Sequence, residues 1–279
     1  MSSTALQSYI DKWLAVQPQQ RVALAFVDQN NYPGHIALAA LEQELLAAAY
    51  GIREPHVAAG KLNWWAEELS GAAASGGRHP LTQVLFDSDR AHEIAAERWI
   101  APVLAAMGQL EEGTAADFPA QIAAGSLLHG ALADLETAWW FGDQASSERA
   151  ARVATLSHLL YSLLRLQEDA DRDRLALPMS RLAKFGLSRH QLREASELRT
   201  AAVRAQLDDL DAAWRDAERL PGPLSAFRGL ESRQGRALVA KARKAADPLD
   251  VLRKGQGRQG LGVTWQAWQA ARAWQRAKG

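Results

Sequence analysis

The densest run of chemistry-bearing side chains is Gln167-Glu168-Asp169-Ala170-Asp171-Arg172-Asp173-Arg174, which follows a long apolar helical stretch. If the helix continues through this run, Asp169 and Asp173 stand one turn apart, on the face that also carries Leu159 and Leu166. Two carboxylates so placed can bridge Mg2+ ions, which in turn hold a diphosphate, because Mg2+ takes oxygen ligands and keeps several waters. The alternative is an exposed helix end whose acids pair with Arg172 and Arg174. Glu44 is the second candidate. Leu41 and Ala48, three and four residues away, put it beside an apolar stripe, so its carboxylate must be paired, hydrated or functional. It either faces a cavity or is salt-bridged at a helix interface, whereas Glu42 points elsewhere and is expected to be solvated.

Other chemistries leave no trace. The seven histidines stand singly, without metal-ligand spacing, and His129 and His158 are expected as core or boundary residues with a hydrogen-bond partner. No nucleophile elbow, Walker loop or dinucleotide fingerprint appears. There is no cysteine, which excludes disulfides and thiol catalysis and suits a reducing compartment. Lys plus Arg and Asp plus Glu are equal at 32 each, so no global charge bias points to nucleic acid. The N-terminus has no basic segment followed by an apolar run, and no stretch reaches the roughly 18 apolar residues of a spanning helix. The expected location is cytoplasmic, with any membrane met peripherally.

The elements that must position these residues are helical almost throughout. Leu38, Leu41, Leu45 and Ala48 recur at three and four residues, as do Val153, Leu156, Leu160 and Leu163, then Val203, Leu207, Leu210 and Trp214. Alternating β-branched runs are missing. Tyr32-Pro33-Gly34, Ser75-Gly76-Gly77, Glu112-Gly113, Phe141-Gly142-Asp143, Gly186-Leu187-Ser188 and Pro221-Gly222-Pro223 punctuate the helices. Asp117 reads as the N-cap of a helix opening at Phe118-Pro119, and Ser188 as that of a helix carrying Leu192. Of the pairs Trp64-Trp65 and Trp139-Trp140, one member each is expected buried and the other at an edge. None of the gaps is a linker, so residues 1–279 read as one all-α domain. A mobile loop is expected from Leu252 to Val263, before a last helix with Trp265, Trp268 and Trp274.

From Arg228 to Arg258, nine Lys/Arg residues face only Glu231, Asp247 and Asp250. Such a basic segment is either a solvated face or a surface for a diphosphate, an anionic membrane or an acidic protein partner.

Two groups of segments resemble a known family. Lys61-Leu62-Asn63-Trp64-Trp65-Ala66-Glu67-Glu68-Leu69, followed by Arg78-His79-Pro80-Leu81, is similar to the tryptophan helix and His-Pro step of squalene and phytoene synthases. Leu164-Arg165-Leu166-Gln167-Glu168-Asp169, then Leu175-Ala176-Leu177-Pro178 and Phe185-Gly186-Leu187-Ser188, resembles that family's second aspartate motif and its trailing segments. The resemblance covers residues 20 to 275, and the Leu-Pro and Phe-Gly-Leu-Ser tail is its most specific part.

The resemblance implies an isoprenoid-synthase-like helical bundle around a central cavity. Active members condense two prenyl diphosphates head-to-head, using two DxxxD-type motifs on facing helices to hold Mg2+. Laid on this chain, the first motif falls at Gln43-Glu44-Leu45-Leu46-Ala47, where only Glu44 could bind metal. In the second, Arg165 replaces the leading aspartate while Glu168 and Asp169 persist, and Gln109 replaces a further aspartate. The resemblance therefore makes Glu44 and Asp169 the expected catalytic pair, with Glu44, Glu168, Asp169 and Asp173 as a reduced Mg2+ set. Arg165, Trp65 and Tyr161 are its expected substrate contacts. Within the family, Leu177-Pro178-Met179 and the lost aspartates resemble the non-catalytic branch typified by mitochondrial complex I assembly factors. The implied function is a non-catalytic or weakly catalytic isoprenoid-binding or assembly protein. The alternative is an active Mg2+-dependent prenyltransferase.

Overall fold

The computed structural model describes residues 3–171, 174–257 and 260–278, and among them there is no β-strand. The chain begins with α1 (Ser3–Val16), α2 (Gln20–Ala23) and α3 (Pro33–Leu46), and α3 runs directly into a π-turn over Ala47–Gly51. Then come α4 (Pro55–Ser75), α5 (Pro80–Phe86), α6 (Asp89–Glu93) and α7 (Ala96–Gln109). The long central pair α8 (Phe118–Phe141) and α9 (Glu148–Ser162) pack along each other. The remaining helices are α10 (Met179–Lys184), α11 (Glu197–Ala217), α12 (Ala226–Ala242), α13 (Pro248–Gly255) and α14 (Leu261–Lys278).

Local chemistry sets these boundaries. Proline, with its missing N–H and fixed φ, opens α3, α4, α5, α8 and α13. Asp117, Ser196, Ser225 and Asp247 accept hydrogen bonds from the first-turn N–H groups of α8, α11, α12 and α13. Gly76 and Gly142 end α4 and α8 at φ of 82° and 95°, where a side chain would strain the backbone. Gly34 serves a different purpose: a Cβ there would lie 2.3 Å from the Trp139 ring, so its hydrogen lets α3 close on α8.

The segments that carry the family resemblance turn out to be structural. Glu68, buried on the tryptophan helix α4, accepts from the Arg78 and His79 N–H groups at 2.7 and 2.8 Å and from the Thr82 hydroxyl at 2.6 Å. The His79 ring in turn caps α5 through the Leu81 N–H, so the His-Pro step is a helix start bolted to α4. The Phe-Gly-Leu-Ser tail is a helix stop. Gly186 sits at φ 60°, and the N–H groups of Leu187 and Gly186 return to the carbonyls of Leu182 and Ala183, the Schellman pattern.

The buried apolar residues fall into two clusters. One joins α1 to α8, with the start of α12 and α14; the other joins α9 to α13. Helix α12 serves both, giving Phe227 and Leu230 to the first cluster and Val239 and Ala242 to the second.

Several local expectations are corrected. Trp139 and Trp140 are both buried, because α8 lies central among the helices, whereas Trp65 is buried and Trp64 is half-exposed, as their edge position requires. Ser188 caps only a single 3-10 turn, His190–Leu192, and the longer helix starts after Ser196. The gap before the last helix is shorter than expected, since α13 extends to Gly255 and α14 starts at Leu261.

Candidate functional site

A cavity of about 340 Å³ opens where the two apolar clusters meet. Helix α3 and its π-turn supply Glu42, Gln43, Leu46, Ala47 and Tyr50; α8 supplies His129. Across from them, α9 supplies Ala154, His158 and Tyr161, the following 3-10 turn supplies Arg165, and α12 supplies Arg228 and Glu231. Two further clefts adjoin it. One of about 430 Å³ shares Tyr50 and Arg165 and contains Glu168, Asp169 and Arg174; another of about 510 Å³ shares Tyr161.

One wall is built around a buried guanidinium. Arg228 donates through Nη2 to both Glu42 oxygens at 2.8 and 2.9 Å, through Nε to Glu136 at 3.0 Å, and through Nη1 to Glu231 at 2.7 Å. Ser225 adds a hydroxyl donor to Glu136. Three carboxylates around one cation hold the Arg228 proton firmly despite burial, while burial raises Glu231 and lifts Glu42 to about 7 against the pull of Arg228. Glu42 is therefore not the solvated residue expected. The π-turn and the spacing 42, 46, 50 aim this stripe of α3 into the cavity.

The opposite wall is aromatic and basic. Tyr50 stacks on His158 with ring centroids 4.3 Å apart, and His158 lies 4.6 Å from His129. Burial keeps both histidines neutral, His158 falling to about 3, and it raises Tyr50 to about 12. Arg174 lies over the Tyr50 ring at 5.2 Å and donates to the Gln109 carbonyl at 2.6 Å. Arg165 is only partly buried, its side chain 39% exposed, and sits 3.6 Å from Asp169.

The motif positions fall on this cavity in a revealing register. Gln43 and Ala47, where the first motif's aspartates would stand, face the cavity; neither offers a carboxylate. Glu44 turns away, buried against Lys61 at 2.8 Å and Lys12 at 3.7 Å, because it lies on the adjacent face of α3. It is the interface salt bridge rather than the cavity group. In the second motif Arg165 and Asp169 point to the cleft and to each other. Glu168 is exposed at its edge. The expected continuous helix does not exist there: α9 ends at Ser162, and Leu163–Arg165 and Asp169–Asp171 are separate 3-10 turns. Asp173 lies outside the described residues. Among the described residues no group of three or more His, Cys, Asp or Glu side chains is placed to hold a metal ion.

Of the expected substrate contacts, Arg165 and Tyr161 line the cavity. Trp65 does not. It is buried on α4 against Trp64 and His79, where it packs the core. Four cations of the basic 228–258 segment have carboxylate partners: Arg228 is enclosed by carboxylates, Arg243 pairs with Asp208 and Asp211, Arg236 with Glu218, and Lys254 with Asp250. Arg258 lies outside the described residues.

A single all-helical domain whose facing helices enclose a cavity with paired motif positions has the isoprenoid-synthase fold. Residues 21–269 match the squalene/phytoene synthase family, and the chain belongs to it. Among solved structures it is similar to the squalene synthase HpnC from Alicyclobacillus acidocaldarius, at 15% identity and a TM-score of 0.65, covering 87% of this chain and 96% of that one. It is also similar to a dehydrosqualene synthase in complex with ligand, at 11% identity and a TM-score of 0.65, covering 97% and 98%. No curated protein was found to match it.

Proposed function

We propose that this protein binds a prenyl diphosphate or a related isoprenoid without a metal cluster, and that it ionises such a ligand weakly or not at all. The observation that carries this reading is the register of the cavity wall: Gln43, Ala47 and Arg165 occupy the motif positions that would have to be aspartates. Ionising an allylic diphosphate requires positive charge on the leaving group, and metals supply most of it in this chemistry. Here Arg53, Arg165 and Arg174 line the cleft, and fixed guanidinium groups bind phosphate oxygens through forked hydrogen bonds. The cavity accepts the apolar chain and the cleft beside Tyr50 accepts the anionic head. This reading places the chain with the non-catalytic branch typified by complex I assembly factors, whose Leu-Pro-Met run it shares at Leu177-Pro178-Met179.

The second reading, a working Mg2+-dependent prenyltransferase, is favoured by Glu168 and Asp169 lying in the same cleft and by the family itself. Calorimetry with a non-hydrolysable farnesyl diphosphate analogue, in Mg2+ and in EDTA, separates the two. Equal binding in both, weakened in Arg165→Ala and Arg174→Ala, with no hydrocarbon product from farnesyl diphosphate with or without NADPH, supports the metal-free reading. Metal-dependent binding with turnover, both lost in Asp169→Ala, establishes the enzyme.

A further inference from the structure

Helix α14 buries Ala267, Ala270, Ala271 and Trp274 on one side and leaves large apolar side chains exposed on the other. Leu261 is 91% exposed and Trp265 is 56% exposed. Trp265 stacks on Trp268 at 4.5 Å, and Arg272 lies over the Trp268 ring at 4.9 Å. These four residues recur at helical spacing and form one stripe. A solvated leucine at the first turn and an indole pair capped by a guanidinium match the side chains that sit at a bilayer boundary.

The charged residues that follow in sequence have one sign. No Asp or Glu follows Asp250, whereas Arg253, Lys254, Arg272, Arg276 and Lys278 do. Lys254 has its side chain 76% exposed, so its pair with Asp250 is a weak surface contact that leaves it available to an external anion. Lys241 and Lys254 line the cleft of about 510 Å³ between α12, α13 and the start of α14. That cleft shares Tyr161 with the central cavity, so the two adjoin at that side chain.

We infer that the end of α13 and the first half of α14 form a docking surface for an anionic lipid bilayer, set beside the cleft that adjoins the cavity. Leu261 and Trp265 enter the boundary between headgroups and acyl chains, while Lys241, Lys254 and Arg272 meet the lipid phosphates. The occupant is a membrane rather than a second copy of the chain, because a self-complementary face would bring this basic cluster against itself. Docking stands on exposure and charge alone; only its role in ligand delivery rests on the isoprenoid-binding reading.

Flotation with phosphatidylcholine vesicles, with and without phosphatidylglycerol, tests it. The protein is expected to float with the anionic vesicles and to be released by salt. Leu261→Asp with Trp265→Asp is expected to lower the bound fraction roughly tenfold with an unchanged melting temperature, and Lys254→Glu to lower it less. Equal behaviour on both vesicle types, or binding indifferent to these substitutions, overturns the inference. So does a dimer in solution that Trp265→Asp dissociates, since that face would then be a self-interface. Vesicle binding without any binding of the farnesyl diphosphate analogue would sink the ligand reading and leave the docking surface intact.

Discussion

Arg228 and Glu42, 186 positions apart in sequence, meet inside the protein with one guanidinium nitrogen bridging both carboxylate oxygens. That contact ties α12 to α3, and Glu136 adds α8 to the same cation. Replacing Arg228 by Met is expected to cost about 3–5 kcal/mol, because three buried carboxylates lose their counter-charge together. Arg228→Lys is expected to recover little of this, since a compact ammonium cannot reach three partners in three directions. Urea unfolding of both variants measures the difference.

The same cluster sets a pH dependence. Glu42 titrates at about 7 when folded, against an ordinary value of 4.5, so its stabilising proton is present in acid and lost as pH rises toward 7. Glu231 acts in the same direction. His35 and His158 fall to about 3 and His129 falls well below its usual value, so their contribution is present above 6.5 and lost as pH drops. Each proton carries at most about 1.4 kcal/mol per pH unit. His79 is lowered too and Glu68 is held down at about 2, both favouring the fold as pH rises, so stability is expected to rise from acid to a maximum near pH ~6.5 and then to decline slightly. Denaturant midpoints across this range check it, and Glu42→Gln should steepen the rise between pH 4.5 and 6.5 and lessen the decline toward 7.

Arg165 behaves differently from Arg228. Its side chain is 39% exposed and its partner Asp169 is 3.6 Å away, so Arg165→Ala is expected to cost less than about 1 kcal/mol. An unpaired buried cation at this position would have predicted several times that. A large drop in melting temperature would show that Arg165 is a structural group and would remove it from the anion site.

Glu68 makes the third kind of case. Its carboxylate accepts from two backbone N–H groups, a hydroxyl and Arg78, and these contacts outweigh burial to hold it down at about 2. Glu68→Ala leaves the Arg78 and His79 N–H groups and the Thr82 hydroxyl without their acceptor, and is expected to cost about 2 kcal/mol or more. Circular dichroism during unfolding should report that loss with little change in the native spectrum.

Much of the fold was readable because it is written in local rules. The three-and-four spacing of Leu38, Leu41 and Leu45, the glycine stops at Gly76 and Gly142, and the Asp117 cap act within one or two turns of themselves. The site was harder, because its key contacts are long-range. Glu42 was misplaced by one face, since nothing near it in sequence announces Arg228. The π-turn after Leu46 also re-aims Tyr50, a change that a uniform helical wheel cannot show. His129 and His158 look solitary in sequence, yet the packing of α8 on α9 brings their rings together. The most specific family segment, Phe185 to Ser188, proved to be a helix stop, so the signal that identified the family says little about its chemistry here.

The cavity occupies the seam between the two apolar clusters, with α3 on one bank and α9 on the other, and α12 running across both. A molecule held there acts as a wedge of added core. It would supply the missing side-chain contacts between two bodies that otherwise meet through α12 and the α8–α9 pair. Occupancy would thus be felt as stiffness of the whole bundle rather than at the cavity wall alone.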